Sequence, residues 1–172
     1  LLLQIATDDA DATVRAADGS QLAALIVRPA NAAALPARRQ FTVYANDDWA
    51  WGDAKRMAAH GYAGVVAYTR GKGRRSTDAI VAWERDGEDV VAVIDWIAAQ
   101  PGSDGRVGMF GGSHIGYVQW AALKHRPKAL KAIAASATLA PGIDVPMEGG
   151  IFLNFMYPWP FYAASNRSLD DA

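Results

Sequence analysis

The chain lacks several features that would point to particular chemistry or particular partners. It contains no cysteine, which excludes disulfides, thiol nucleophiles and cysteine-ligated metals. Seventeen basic and eighteen acidic residues leave a net charge of −1, so no electrostatic field favours nucleic acid or an anionic membrane. No apolar run is long enough to span a bilayer, and no histidines and acidic residues have metal-ligand spacing. We therefore expect no membrane span, no nucleic-acid partner, no metal and no other cofactor.

The start of the chain does not show in which compartment the protein works. Leu1-Leu2-Leu3 is not part of a positive segment followed by an apolar one, so we expect a signal peptide to be absent or removed. Because a secreted protein need not use disulfides, we expect a soluble protein that is either cytoplasmic or secreted.

The composition that remains is that of an ordinary globular domain. The chain has 172 residues, of which 51% are hydrophobic, and this is enough for one sizeable core. Two extended runs in residues 13–28 are joined by Asp18-Gly19, which is a strong hairpin signal. The Ala- and Pro-rich stretch 29–40 predicts a surface connection after this hairpin.

From residue 41 onward, strand patterns alternate with helix patterns. In residues 87–100, for example, Val90, Val93 and Ile94 recur at helical spacing. The predicted strands are 41–46, 62–69, 107–110 and 130–137, and the predicted helices are 53–61 with Asp53 as its cap, 87–100 and 114–126. This alternation implies right-handed crossovers and a mostly parallel sheet with helices on both faces, which is an α/β fold.

The segment RVGMFGGSHIGYVQW carries the strongest functional signal in the chain. Ser113 follows Gly111-Gly112 at a predicted strand-to-helix turn, where glycines permit the sharp bend that lifts a serine side chain into a cleft. The helix N-terminus beyond it points backbone N–H groups at a developing oxyanion. The spacing departs from G-x-S-x-G because the next glycine is Gly116, so a simple helix N-cap remains the alternative role for Ser113.

Residues 12–163, and most specifically residues 60–133, resemble the Xaa-Pro dipeptidyl-peptidase-like serine hydrolases, a family that includes the cocaine-esterase (CocE/NonD) group and the α-amino acid ester hydrolases. The motifs that carry the resemblance are HGYAGVVAYTRG and the stretch from ERDGEDVV to the segment around Ser113. In that family the serine motif reads G-x-S-x-x-G, usually with tyrosine after the serine, so Gly116 is expected and His114 is a departure. The resemblance implies a three-layer α/β-hydrolase sandwich, with the core in residues 1–145 and the start of a helical cap in residues 146–172.

The resemblance also implies a serine hydrolase that cleaves an ester or amide bond through an acyl-enzyme on Ser113. The oxyanion would be held by the backbone N–H of His114 and by the hydroxyl of Tyr44, which follows the third predicted strand. The alternative for Tyr44 is that of an aromatic side chain packed on the core. The residues expected to bind the ester, amide or peptide substrate are Trp49, Phe152 and Trp159.

The catalytic triad would be incomplete within this chain. The family's acid and base follow the serine, whereas the histidines present are His60, His114 and His125. His60 and His125 lie near predicted helix ends, where an imidazolium is favourable, and the side chain of His114 is expected to diverge from Ser113. We therefore expect a missing C-terminal portion or a second chain to supply an Asp and a His. The alternative is a non-catalytic binding or scaffold domain that keeps the cleft.

Three further features carry less weight. The basic segment RGKGRRS, residues 70–76, is interpreted as a solvated loop, with attraction of an acidic substrate as the alternative. Tyr68 stands where the family tends to have an aspartate, so we expect a buried hydrogen bond there to be missing or rerouted. The candidates for a carboxylate cluster that binds a substrate ammonium are Asp47, Asp48, Asp144 and Glu148.

Overall fold

Strands and helices alternate over most of the chain in the computed structural model, which describes residues 7–30, 32–73, 76, 79–81 and 83–165. The strands of the main sheet are β1 (Thr7–Arg15), β2 (Gln21–Pro29), β3 (Leu35–Thr42), β4 (Ala63–Tyr68), β5 (Ser103–Gly112) and β6 (Leu130–Ser136). The helices are α1 (Asp47–Ala58), α2 (Asp86–Ala98), α3 (His114–Leu123) and α4 (Trp159–Ser165). A small hairpin of β7 (Met147–Glu148) and β8 (Ile151–Phe152) and a 3-10 helix at Asn154–Met156 precede α4.

The main sheet has six strands in the order β1-β2-β4-β3-β5-β6. The first two strands form an antiparallel hairpin, and β2 also pairs antiparallel with β4. The remaining pairs, β3 with β4, β3 with β5 and β5 with β6, are parallel. The predicted antiparallel pair followed by a mostly parallel sheet is therefore confirmed.

Helices cover the sheet on both faces, as a parallel sheet requires. On one face α2 and α3 pack against it with residues such as Ile94 and Val118, and on the other α1 packs with Ala54 and Met57. Every residue of β4 is buried, because this strand lies between two others and has helices on both sides. No described helix has the length and apolar character needed to cross a bilayer.

The prediction of a surface connection over residues 29–40 is wrong in its second half. Strand β3 begins at Leu35 and runs to Thr42, so residues 43–46 lie after the strand and not in it. Parallel partners in β4 and β5 supply hydrogen bonds on both sides of this segment. These tertiary bonds override the weak local preference of an Ala-, Pro- and Arg-rich stretch.

Helix boundaries also differ from the predictions. Helix α1 begins at Asp47 rather than at Asp53, and its cap is Asn46, whose side chain accepts a 2.9 Å hydrogen bond from the backbone N–H of Trp49. The sequence DDWAWGD does contain acidic residues suited to a first turn, but Gly52 obscured the pattern. Helix α3 ends at Leu123, before the predicted end at residue 126.

Candidate active site

Ser113 lies at a strained turn between β5 and α3, at the carboxyl edge of the sheet. Its backbone has φ 55° and ψ −128°, a conformation that is rare for a residue with a side chain and that clusters at functional sites. The serine is exposed, and its side chain makes no capping hydrogen bond to the helix. The side chain therefore does not act as the helix N-cap that the alternative interpretation requires.

The turn is stabilised by its contacts with the end of β6. The backbone N–H of Ser113 donates to the carbonyl oxygens of Ser136 (3.1 Å) and Ala137 (3.2 Å). One turn into α3, a Cβ at Gly116 would lie 3.0 Å from the same Ser136 oxygen, so a larger residue there would require the end of β6 to shift. Gly116 thus allows the close approach of helix and strand that aims Ser113 out of the sheet.

His114 turns its side chain away from the serine and into the protein. The imidazole is fully buried, with Nε2 3.0 Å from the Oδ2 atom of Asp86. Because a carboxylate only accepts hydrogen bonds, Nε2 carries the proton. Nδ1 has no hydrogen-bond partner among the described residues, so the side chain is not positioned as a base for Ser113. The backbone N–H of His114 belongs to the first turn of α3, where it has no acceptor within the helix.

Asp86 joins three separate parts of the chain around its carboxylate. Besides His114, it accepts hydrogen bonds from the Thr69 hydroxyl (3.3 Å) and from the backbone N–H of Trp83 (3.0 Å). The side chain is buried, and these three donors satisfy a charge that would otherwise be costly to bury. Asp86 and Trp83 escaped the sequence analysis, because no spacing rule indicates that the start of α2 meets the residue after Ser113.

The start of α2 is held in place by Arg70, which follows β4. Its guanidinium makes a two-pronged contact with the buried Asp89 (2.9 and 2.6 Å) and a further bond to Asp18 at the β1–β2 turn (2.9 Å). Hydrogen bonds from Arg70 lower the pKa of Asp18 well below its ordinary value, and burial raises the pKa of Asp89. The prediction that Arg70 and Lys72 are solvated is therefore wrong, because both side chains are largely buried. Arg74 and Arg75 of the same segment lie outside the described residues.

Tyr44 lies beside His114, just after the end of β3, with 6.4 Å between the two ring centroids. Its hydroxyl oxygen accepts a 2.8 Å hydrogen bond from the indole N–H of Trp159 in α4. The ring is only partly buried, so Tyr44 is not a fully enclosed core aromatic. The fold thus brings Tyr44, His114 and Trp159, which are far apart in sequence, to one place next to Ser113.

Aromatic rings pack against one another around His114. Trp83 stacks on Trp159, with centroids 4.9 Å apart and planes within 8°. The ring centroid of His114 lies 6.2 Å from that of Trp159 and 5.9 Å from that of Tyr117. Burial, with the nearby charge of Asp86 as a smaller cause, raises the pKa of Tyr117, so its hydroxyl stays protonated well above neutral pH.

A cleft of about 380 Å³ lies between α1, the end of β3 and α4. Tyr44, Trp49, Ile115 and Tyr162 are among its lining residues, and Trp49 is 68% exposed. Phe152 lies in β8 and is 45% exposed. The roles of Trp49, Phe152 and Trp159 in substrate binding stay predictions.

Two of the four carboxylates considered for substrate recognition, Asp47 and Asp144, bond to separate partners. Asp47 accepts a 3.0 Å hydrogen bond from the hydroxyl of Tyr68. Asp144 accepts from the backbone N–H of Ala140 (2.6 Å). In the described residues no group of three or more His, Cys, Asp or Glu side chains is arranged to hold a metal ion.

Comparison with known proteins was made on both sequence and structure. The profile of the X-Pro dipeptidyl-peptidase (S15) family matches residues 18–170. Cocaine esterase from Rhodococcus sp. (strain MB1 Bresler) is 34% identical over 139 residues, which are 77% of this chain and 24% of that protein. The chain thus spans about a quarter of the length of this relative.

Solved structures share the fold. A CocE/NonD family hydrolase from Staphylococcus aureus superposes with a TM-score of 0.80 at 24% identity, over 94% of this chain and 34% of that one. An α-amino acid ester hydrolase gives a TM-score of 0.80 at 22% identity, over 98% and 31% of the two chains. These likenesses show an α/β-hydrolase fold, and with the profile match they show that the chain belongs to the X-Pro dipeptidyl-peptidase (S15) family.

Proposed function

We propose that the protein is a serine hydrolase that cleaves an ester or amide bond through an acyl-enzyme on Ser113. The observation that carries the proposal is the strained, exposed serine at the β5–α3 turn, with the ring of Tyr44 6.4 Å from that of the adjacent His114. Such strain persists only where the surrounding structure enforces it. The similarity to cocaine esterase supports the cleavage of an ester bond.

The reaction would proceed in two steps, acylation of Ser113 and hydrolysis of the acyl-enzyme. The Oγ atom of Ser113 attacks the substrate carbonyl carbon, and its proton passes to a general base. The tetrahedral intermediate collapses, the leaving alcohol or amine takes up that proton, and the acyl group remains on Ser113 as an ester. Water, deprotonated by the same base, then attacks this ester, which releases the carboxylic acid and returns the proton to Ser113.

Two donors are proposed to hold the negative oxygen of the intermediate: the backbone N–H of His114 and the hydroxyl of Tyr44. The indole N–H of Trp159 already donates to the Tyr44 oxygen. That bond uses a lone pair and leaves the phenolic proton free to donate to the oxyanion. A hydroxyl that accepts one hydrogen bond also becomes a stronger donor for the next.

The acid and base of the triad are proposed to come from polypeptide outside this chain, either a C-terminal portion or a second chain. Within the chain, His114 is engaged with Asp86, and the Nδ1 atom of His60 lies 2.8 Å from the carbonyl oxygen of Arg56. Residues 166–172 of the predicted cap segment lie outside the described residues. We also propose that the described part, residues 146–165, begins a cap over the cleft, and that Trp49, Phe152 and Trp159 face an apolar acyl group.

The test uses the complete protein that contains this chain and a fluorophosphonate probe, with the adduct located by peptide mapping. We expect modification of Ser113 and none in Ser113→Ala. Tyr44→Phe should react about 10²- to 10³-fold more slowly, since that is the typical effect of losing one oxyanion donor. No adduct on Ser113 in the complete protein would contradict the proposal and favour a non-catalytic binding domain.

A further inference from the structure

The buried carboxylate of Asp86 is connected to both proposed oxyanion donors. It accepts directly from His114 Nε2 at 3.0 Å, and the backbone N–H of that same histidine is the first donor. It also accepts from the backbone N–H of Trp83 at 3.0 Å.

The second connection runs through two tryptophans. Trp83 has φ 71°, in the left-handed region that a bulky side chain rarely occupies. Its hydrogen bond to Asp86 stabilises this conformation, and the conformation places the indole flat against Trp159. Trp159 in turn donates to the hydroxyl of Tyr44. The position of the second donor therefore depends on Asp86 through three consecutive contacts.

The first connection determines which ring nitrogen of His114 carries the proton. With Nε2–H donating to the carboxylate, neutral His114 has its lone pair on Nδ1, which is buried and has no partner among the described residues. An amide in place of the carboxylate would present an NH₂ group as well as an oxygen. Trp83 and His114 both bond to Oδ2 of Asp86, so an amide whose oxygen takes that place keeps both bonds and turns its NH₂ towards the Thr69 hydroxyl, which can accept. Removal of the whole carboxylate, as in Asp86→Ala, leaves Nε2 without its acceptor.

We propose that Asp86 is a positioning residue that places both halves of the oxyanion site: it fixes the ring of His114, and through Trp83 and Trp159 it orients the hydroxyl of Tyr44. This inference rests on the proposed hydrolase function for its catalytic consequence only. Asp86 itself is enclosed by Thr69, Trp83 and His114 and touches no substrate. Its effect is on geometry, which catalysis by preformed donors depends on strongly.

The first readout is independent of catalysis. In the ¹⁵N-labelled complete protein, the ring-nitrogen shifts of His114, assigned with His114→Gln, should show a proton on Nε2. Asp86→Ala should remove this preference for Nε2 and change both ring-nitrogen shifts, whereas Asp86→Asn should leave them in place. Asp89→Asn is the matched control, because Asp89 is an equally buried carboxylate in the same turn of α2 but bonds to Arg70 instead. It should leave the His114 shifts in place.

The second readout is the rate of fluorophosphonate modification of Ser113. We expect Asp86→Ala to lower the second-order rate constant by roughly ten- to a hundredfold, and both Asp86→Asn and Asp89→Asn to leave it within about twofold. Trp159→Phe keeps the stack but removes the N–H donated to Tyr44, so it should also slow modification. It tests the second connection even if the Asp86 variant does not fold.

The outcomes separate the two proposals. If the wild-type protein is not modified at Ser113, the proposed function fails, while the ring-nitrogen shifts still test the role of Asp86. An Nδ1 proton on His114 in the wild type, or unchanged shifts in a folded Asp86→Ala, would overturn the inference. Shifts that move while the rate constant does not would also overturn it, because Asp86 would then be structural only.

Discussion

Arg39 is the residue whose replacement should stabilise the protein most. It lies in β3 between Val65 of β4 and Met109 of β5, on the face covered by α2 and α3. The side chain is fully buried, and none of its three guanidinium nitrogens has a hydrogen-bond partner among the described residues. Buried charges without partners are among the costliest features a core can contain. We expect Arg39→Met to raise stability.

The size of the stabilisation expected for Arg39→Met follows from the burial of the guanidinium. Removal from water lowers the pKa of Arg39 from the ordinary arginine value to about 9, a difference that corresponds to about 5 kcal/mol. Relaxation and water penetration reduce such penalties, so we expect a gain of about 2–4 kcal/mol and a rise in Tm of roughly 5–10 °C. The penalty should be fully present below about pH 9, where folded Arg39 is charged. It should diminish at higher pH, as the folded protein gives up this proton before the unfolded chain does.

The assay is urea unfolding of the purified protein at pH 7, followed by tryptophan fluorescence and repeated at pH 10. Arg38→Met is the matched control, because Arg38 is the preceding residue but points to the opposite face, 4.0 Å from the ring centre of Phe110. Losing this cation–π contact should lower stability by about 0.5–1 kcal/mol. Equal or lower stability of Arg39→Met would refute the reasoning and show that the guanidinium has a partner.

Two further predictions concern the helix behind the serine. Gly116→Ala should destabilise the protein by about 1–3 kcal/mol in urea unfolding, because the new Cβ would lie 3.0 Å from the Ser136 carbonyl oxygen. Gly52→Ala is the control, because Gly52 lies in helix α1 with open space around it, and it should instead stabilise the protein by about 0.5–1 kcal/mol. A similar loss of stability in both variants would contradict the argument that α3 and β6 approach closely at Gly116. Absorbance at 295 nm, compared with Tyr117→Phe, should show Tyr117 ionising above the ordinary tyrosine pKa of 10.0 because of its burial. The stability that this group contributes should be complete below pH 10 and be lost as the pH rises through the higher folded value. Ionisation of Tyr117 at or below pH 10 would show that the ring is solvated.

The overall fold and the position of the serine were predictable because their signals are local. A glycine-flanked serine between an apolar strand and a helix needs only neighbouring residues to be recognised, and Ser113 indeed follows β5 directly. The hairpin at Asp18-Gly19 and the helix α2 were identified for the same reason. Local signals failed at β3, whose first half is held by strands from elsewhere in the chain.

The environment of the serine was decided by tertiary structure. The sequence by itself indicated Ser113, Tyr44 and His114 as candidates, but the bonds that fix the last two, from Trp159 to Tyr44 and from His114 to Asp86, join residues far apart in the chain. The same is true of Arg39, which reads as a polar surface residue in a basic stretch and is buried only because α2 and α3 cover its side of the sheet. Composition and spacing report which residues are neighbours along the chain. Hydrogen-bond partners and burial depend on which surfaces the packed elements bring together, and no periodicity in a single sequence encodes that pairing.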